Sequence, residues 1–206
     1  MNKAPAGLLL LLLCLGGLSP AARAGGIDIA LSNETANFAL LLNPRGFRVG
    51  DGSELALGGF VSEDDDRLLH ASLMAKGSRY SSSESMYTLA AGVKVIGGDI
   101  SVDPEFVLPG REDTERVGAV ALGLEVGLMS ASRQNPIDFR LGAFFAPTIS
   151  SFSDAEQFSE LTARLQIEVI PTARAYVGYR RMGFDTDDYQ DVRVDRSIHL
   201  GLEIAY

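Results

Sequence analysis

Hydrophobic and polar residues alternate one by one along most of this chain. The clearest stretch runs from Glu160 to Val169, where every second residue is apolar and the residues between them are polar or charged. A period of two is typical of a β-strand with one apolar and one polar face. After residue 24 the sequence has no stretch with a helical period, so the pattern predicts an all-β protein.

The alternation predicts ten strands. They are Phe38–Leu42, Leu55–Val61, Leu69–Ala75, Thr88–Val95, Ile100–Leu108, Ala119–Leu128, Ile137–Ala146, Glu160–Val169, Ala173–Arg180 and Ser197–Tyr206. Ile27–Leu31 alternates in the opposite phase to the first of these, and we interpret it as a bulged extension of that strand or a short lead-in. The connection Ser130–Asn135 is longer than a tight turn needs, so eight strands is the alternative count.

The connections between these strands also alternate in length. Asn43–Ser53, Ser78–Ser85, Ser150–Gln157 and Asp185–Asp191 are long, whereas Glu63–Asp66, Gly97–Asp99 and Ile170–Thr172 are short. Outer-membrane barrels combine an even strand count with short periplasmic turns and longer outer loops. The sequence therefore predicts a transmembrane, antiparallel, up-and-down β-barrel with both termini in the periplasm.

The first 24 residues have the features of a secretory signal peptide. Lys3 precedes the apolar run Leu8–Leu15, and Ala22-Arg23-Ala24 provides small residues for cleavage before Gly25. The apolar run is shorter than the roughly 20 residues that a spanning helix needs. Residues 1–24 are thus predicted to be removed on export, and residues 25–206 to form the barrel domain in the cell outer membrane.

A soluble, secreted barrel with its apolar face inside is the alternative fold. Three features favour the membrane barrel. The last strand ends in the aromatic Tyr206 on its apolar file, the polar files are rich in glycine and alanine, and the tightest turns fall opposite the loops rich in Ser, Asp and Glu. The apolar file Ile198, Leu200, Leu202, Ile204 and Tyr206 is predicted to be the signal that the barrel assembly machinery reads.

Charge and composition limit the possible partners and cofactors. Without Lys3 and Arg23 the 18 basic residues become 16, which against 27 acidic residues gives the mature chain a net charge of −11. This balance argues against nucleic acid as a partner. The one cysteine, Cys14, lies in the predicted signal peptide, so disulfides and cysteine metal ligands are excluded. We expect no cofactor and no bound metal.

Charged side chains recur on the polar files and would face the inside of the barrel. The predicted lumen charge network consists of Asp138, Arg140, Arg164, Glu168, Arg174, Arg180 and Glu203. Isolated buried charges are costly, so opposite charges in a narrow lumen are expected to pair. This favours a lumen closed by ion pairs over an open charged pore.

Four other sets of residues are candidates for chemistry or membrane contact. Ser197, His199 and Glu203 resemble a hydrolase set, but Glu203 lies about 13 Å along the strand from His199. The acidic loop Asp185–Asp191 lacks the glycine and spacing of a calcium loop, and His70 has no neighbouring histidine for a zinc site. Tyr87, Tyr176, Tyr179 and Phe184 are candidates for the aromatic girdles at the membrane interfaces.

The start of the mature chain, the Asp64–Asp66 turn, the stretch PTARAYVGYRRM and the terminal HLGLEIAY together resemble the YfaZ family of outer-membrane proteins. The resemblance implies a small outer-membrane barrel of a Gram-negative bacterium and brings no catalytic residues. The combined interpretation is a monomeric, porin-like, non-enzymatic barrel with a structural or narrow-channel role, in contact with outer-membrane lipid and lipopolysaccharide. The alternative is an outer-membrane hydrolase that acts on lipid or surface peptide.

Overall fold

The chain folds into a closed antiparallel barrel of ten long strands. The structure, a computed structural model, describes residues 22–44, 52–81, 85–102, 114–130 and 136–206. The strands are β1 (Ala22–Leu31), β2 (Thr35–Pro44), β3 (Gly52–Ser62), β4 (Arg67–Tyr80), β5 (Ser85–Ser101), β6 (Thr114–Ser130), β7 (Ile137–Ala146), β8 (Ser151–Ser153), β9 (Ala155–Ile170), β10 (Ala173–Thr186) and β11 (Val192–Ala205). A 3-10 turn, Thr148–Ser150, precedes the short β8. The described residues contain no helix long and apolar enough to cross a membrane.

Neighbouring strands in the barrel are neighbours along the chain. The exception is β8, a three-residue strand that pairs with Val117–Ala119 of β6, so that β7 pairs directly with β9. The barrel closes where β1 pairs with β11, from Gly26 opposite Ala205 to Leu31 opposite Leu200. This confirms the predicted all-β, antiparallel, up-and-down architecture and its count of ten strands.

The apolar files lie on the outside of the barrel and the polar files on the inside. Leu69, Leu122 and Leu200 have relative exposures of 64%, 70% and 68%, whereas Lys94 and His199 are buried. Cross-strand partners share a face, so the pairing of Leu165 with both Phe139 and Val177 extends the apolar surface across three strands. A soluble barrel would have the opposite arrangement.

An apolar cluster fills the half of the barrel that lies away from the termini. Its members point inward from the ends of most strands and from the adjoining loops: Phe60, Leu68, Ile96, Ile100, Val102, Val117, Ala119, Ala121, Ala146, Ala155, Phe158, Met182, Phe184, Tyr189, Val192 and Val194. Phe158 and Phe184 pack ring against ring at 4.9 Å. The interior is therefore filled by ion pairs in one half and by apolar packing in the other, which differs from the predicted interior of ion pairs alone.

The predicted count of ten was reached through two compensating errors. Ile27–Leu31 is part of β1, a strand in its own right, because the short turn Ser32–Glu34 reverses the chain and changes the phase of the alternation. Conversely, Gly97–Asp99 is not a turn but lies inside β5. A Cβ atom on Gly98 would overlap the carbonyl oxygen of Arg67, so glycine permits a close approach of strands there. Of the predicted strand Ile100–Leu108, only Ile100 and Ser101 belong to β5, and residues 103–108 lie outside the described residues.

The additional first strand also reverses the predicted sides of the early connections. β2 ends and β3 begins at the end that carries the termini, and the turn Glu63–Asp66 lies at the opposite end. Residues 45–51 lie outside the described residues. The predicted sides are correct for the later connections. Pro171-Thr172 turns at the end that carries the termini, whereas the loops before β9 and β11 lie at the other end. Residues 1–21 of the predicted signal peptide lie outside the described residues, and Ala22–Ala24 begin β1.

Candidate functional site: the barrel interior

An ion pair crosses part of the lumen, halfway along the barrel, between two strands that are not neighbours. The Nζ atom of Lys94 on β5 donates to Oε2 of Glu160 on β9 at 2.5 Å, and both side chains are buried. The Lys94 ammonium also lies 5.3 Å from the centre of the Phe144 ring. On the adjacent strand β6, the small residue Ala121 lies opposite Lys94 in register, and Gly123 leaves space for the Phe144 ring, which a Cβ atom there would overlap. Because β6 and β7 separate the two strands, this pair ties together parts of the wall that are not neighbours.

A second contact set joins β9 to β1 across the lumen. Arg164 Nη2 lies 2.8 Å from Asp28 Oδ2, and the Tyr176 hydroxyl donates to Asp28 Oδ1 at 2.5 Å. The Arg164 guanidinium stacks over the Tyr176 ring at 4.3 Å. Gly201 on β11 is the cross-strand partner of Tyr176 on β10. It has to lack a side chain, because a Cβ atom there would overlap the tyrosine ring. The carboxylate of Asp28 is thus bound by two groups and buried.

Arg180 and Asp195 form a third buried pair, close to the apolar cluster. Arg180 Nε donates to Asp195 Oδ2 at 2.5 Å, and the Ser197 hydroxyl donates to Asp195 Oδ1 at 2.7 Å. The guanidinium of Arg180 also lies 4.9 Å from the centre of the Phe60 ring, which belongs to β3 on the far side of the barrel. The boundary between the two halves of the interior is therefore held by one ion pair and one cation–π contact.

The ion pairs nearer the termini are less buried. Arg140 Nε donates to Asp138 Oδ2 at 2.7 Å, and Arg140 Nη1 lies 3.9 Å from Glu125 Oε1. Arg174 lies 3.5 Å from Glu203. Lys76 donates to Glu54 at 2.9 Å on the opposite wall. Exposure of these groups at the terminal end indicates that water reaches this part of the lumen.

The structure places all seven residues of the predicted lumen network on the inner face. Six of them, all except Glu168, take part in the ion pairs described above, and Glu168 faces Arg174 in the β9–β10 register. Sequence reasoning missed several partners of this network: Asp28, Glu54, Lys76, Lys94, Glu125 and Asp195. Asp28 was missed because β1 was not assigned as a wall strand. Of the other partners, Lys94 reaches Glu160 across the lumen, a contact that depends on the closed barrel. Glu54, Lys76, Glu125 and Asp195 each contact a charge on a neighbouring strand.

The candidate assembly residues lie on the outside of β11. Ile198, Leu200, Leu202, Ile204 and Tyr206 are all exposed. The register pairs the first four with outward-facing residues of β10, and Leu200, Leu202 and Ile204 also face β1. The arrangement places an apolar file at the seam where the barrel closes. Its role as an assembly signal stays a prediction.

The residues of the possible hydrolase set have other partners. The Ser197 hydroxyl donates to Asp195, and Glu203 pairs with Arg174. The His199 ring packs edge-on against Tyr176 with a centroid separation of 5.9 Å. No contact joins the three among the described residues, so the geometry gives the hydrolase alternative no support.

The remaining candidate groups lie as follows. His70 is inside the barrel, where Nε2 lies 3.2 Å from Asn37 Oδ1. Within the described ranges, no three His, Cys, Asp or Glu side chains are arranged to hold a metal ion. Tyr87 and Tyr179 lie on the outer face, but Tyr176 and Phe184 are buried inside. The girdle assignment was therefore wrong for these two, because each belongs to the inward file of β10.

Comparison with known proteins gives no family assignment. No protein-family model and no curated protein sequence matches the chain. The chain is similar to two solved structures. A NanC porin structure in a rhombohedral crystal form has 9% sequence identity and a TM-score of 0.38, with 89% of this chain and 99% of that chain covered. A CymD monoaromatic hydrocarbon channel has 12% identity and a TM-score of 0.34, with 99% and 72% covered. The resemblance to the YfaZ family stays a prediction.

Proposed function

We propose that this chain is a monomeric, integral outer-membrane β-barrel with a structural or narrow-channel role and no catalytic activity. The observation that carries the proposal is the inverted distribution of polarity, with aliphatic side chains on the outside and ion pairs on the inside. Exposed apolar patches larger than a few hundred Å² are rare on soluble monomers. Here the apolar surface extends around the barrel, through Phe38, Leu69, Leu122, Leu165 and Leu200 on five different strands.

The dimensions of this surface suit a bilayer. On β9 the outward apolar residues run from Leu161 to Val169, a length of about 26 Å at about 3.3 Å per residue. With the usual strand tilt of about 40°, the belt would be roughly 20 Å tall, close to the apolar band of outer-membrane barrels. Backbone groups in hydrocarbon have to be paired, and the β1–β11 pairing supplies the closure that this requires.

The filled interior favours a structural or narrow-channel role over that of a wide pore. The ion pairs Lys94–Glu160 and Arg180–Asp195 cross or line the middle of the lumen, and the apolar cluster occupies the half beyond them. Water and ions would have to displace both layers to pass. The expected partners are therefore lipid, lipopolysaccharide and the barrel assembly machinery that inserts the chain.

Fractionation of cells that express the full chain tests this proposal. We expect the protein in the outer-membrane fraction after carbonate washing, insoluble in sarkosyl and heat-modifiable on gels. Release of folded protein into the periplasmic extract would contradict the membrane assignment. As a specificity control, a soluble periplasmic protein followed in the same fractions should be released completely.

A further inference from the structure

Three exposed arginines form a basic patch on the outside of the barrel, at the end away from the termini. Arg181 on β10 and Arg196 on β11 are direct cross-strand partners, and Arg193 faces Gly183 above them. We call Arg181, Arg193 and Arg196 the arginine patch. Like charges directly opposite each other destabilise a strand pair. The pairing of Arg181 with Arg196 is thus unfavourable unless an anion lies between them.

The patch stands at the edge of the apolar outer surface. One step nearer the termini, the outward residues of the same two strands are Tyr179 and Ile198, which also face each other in register. On the neighbouring β9, Leu161 lies opposite Arg181 and is the last apolar residue of its outward file before Ser159. In a bilayer that covers this surface, the three guanidiniums would lie at the level of the lipid headgroups.

The carboxylate nearest to the patch neutralises it only weakly. Asp191 lies 3.8 Å from Arg181, and both side chains are largely exposed. Other outward arginines at the same end have a closer carboxylate: Arg67 lies 3.4 Å from Asp65, and Arg116 lies 3.4 Å from Asp99. Among the ion pairs of outward arginines described at this end of the barrel, the Arg181–Asp191 contact is thus the longest, which leaves the patch open to an external anion.

We propose that the arginine patch binds the phosphate groups of lipopolysaccharide, in the leaflet that surrounds the end of the barrel away from the termini. Guanidinium groups bind phosphate through paired hydrogen bonds, and two opposed arginines can share one phosphate. The proposal rests on the proposed function, since it requires a barrel inserted with this end at the outer leaflet.

The test compares thermal unfolding of the folded barrel in two kinds of vesicle, phosphatidylcholine alone and phosphatidylcholine mixed with lipopolysaccharide. We expect lipopolysaccharide to raise the wild-type unfolding midpoint by roughly 3–6 °C. The variant Arg181→Gln/Arg196→Gln should lose this increase. In phosphatidylcholine alone it should be as stable as the wild type or more stable, because the repulsion has been removed. The matched control Arg67→Gln/Arg116→Gln should keep the increase.

Equal increases in the patch variant and the wild type would overturn the proposal, as would an equal loss in the control variant. Inorganic phosphate added to phosphatidylcholine vesicles should have no comparable effect. A comparable effect would show that the patch takes free phosphate and would overturn the lipid assignment. Failure of the wild type to fold into either vesicle would contradict the membrane barrel itself, and this outcome is distinguished from the others by heat-modifiability before the unfolding scan.

Discussion

Gly25 and Tyr206 join the first and last strands of the barrel at the seam where it closes. The Gly25 amide donates to the Tyr206 carbonyl oxygen at 3.2 Å, and the Tyr206 amide donates to the Gly25 carbonyl oxygen at 2.9 Å. The pair extends the β1–β11 ladder one step beyond Gly26 and Ala205. A Cβ atom on Gly25 would lie 3.1 Å from Cζ of Tyr206, so the tyrosine ring lies against the glycine. If the signal peptide is cleaved as predicted, the first residue of the mature chain pairs with Tyr206.

Two variants at Tyr206 separate backbone pairing from the side-chain signal. Tyr206→Asp keeps the two backbone hydrogen bonds and removes the aromatic ring, whereas deletion of Tyr206 removes both. We expect each to lower the amount of heat-modifiable protein in outer-membrane fractions, with the deletion at least as severe. The control Ala205→Ser, on the other file of the strand, should change this amount little. Normal assembly of Tyr206→Asp would show that the aromatic residue is not read as a signal.

The cost of placing an arginine on the outer surface should depend on how deep in the bilayer it lies. Leu165 lies in the middle of the outward file of β9, and Val169 lies on the same file near the terminal end. Arginine at the bilayer midplane of such barrels costs about 2–4 kcal/mol, and near an interface about 0–1 kcal/mol. Leu165→Arg should therefore destabilise the folded barrel in vesicles much more than Val169→Arg, as measured by urea unfolding. Equal costs would refute the assignment of this face to lipid.

The two faces of the strands could be predicted from the sequence because alternation has only two phases. Leu165 and Arg164 are adjacent, so the assignment of one to lipid places the other in the lumen. The partner of Arg164 could not be predicted in this way. Asp28 lies on β1, and its distance from β9 depends on the number of strands and on their stagger. These quantities belong to the closed barrel and not to any one strand.

The apolar cluster was missed for a local reason. Leu68 and Leu69 are consecutive, and one points into the cluster while the other is exposed on the outside. A run of apolar residues on both faces conceals the alternation that identifies an inward file. Phe158 lies two residues before Glu160 and therefore points inward on the same face of β9. It was missed because the predicted strand began only at Glu160.

The buried pair Lys94–Glu160 should show strong coupling. Loss of one partner from a buried ion pair costs about 3–5 kcal/mol, because the other charge is left uncompensated, whereas replacement of both by apolar groups is often close to neutral. We expect Lys94→Met and Glu160→Leu each to lower the free energy of unfolding sharply, and the double variant to recover most of the loss. Urea unfolding in vesicles gives the coupling energy. Additive effects would show that the two groups do not interact in the folded barrel.

Asp66, in the turn between β3 and β4, gives a pH-dependent contribution to stability. Burial raises the pKa of Asp66, Asp64 and Asp65 add to the rise, and hydrogen bonds from the Ser101 amide and the Ser62 hydroxyl oppose it. A raised carboxyl pKa stabilises the fold below the unfolded pKa of about 3.9. This contribution is lost as the pH rises through the folded pKa.

The variant Asp66→Asn tests this contribution, because asparagine keeps an acceptor for the Ser101 amide but does not ionise. The stability of the wild type relative to Asp66→Asn should therefore decrease as the pH is raised from 4 to 7, measured by urea unfolding in neutral-lipid vesicles. The exposed loop residue Asp187 provides a control, and Asp187→Asn should show a smaller change over the same range. A constant difference between the wild type and Asp66→Asn would contradict the raised pKa.

The filled lumen predicts little or no steady ion conductance for the wild-type barrel in planar bilayers. The Phe158 and Phe184 rings are in contact and almost completely buried, so they close the half of the interior beyond the ion pairs. Phe158→Ala/Phe184→Ala removes this contact and should increase the frequency of openings. Phe139→Ala, which shortens an exposed aromatic residue on the outer face, should leave conductance at the wild-type level. Large, stable and ion-selective steps from the wild type would contradict the closed lumen and would favour an open channel.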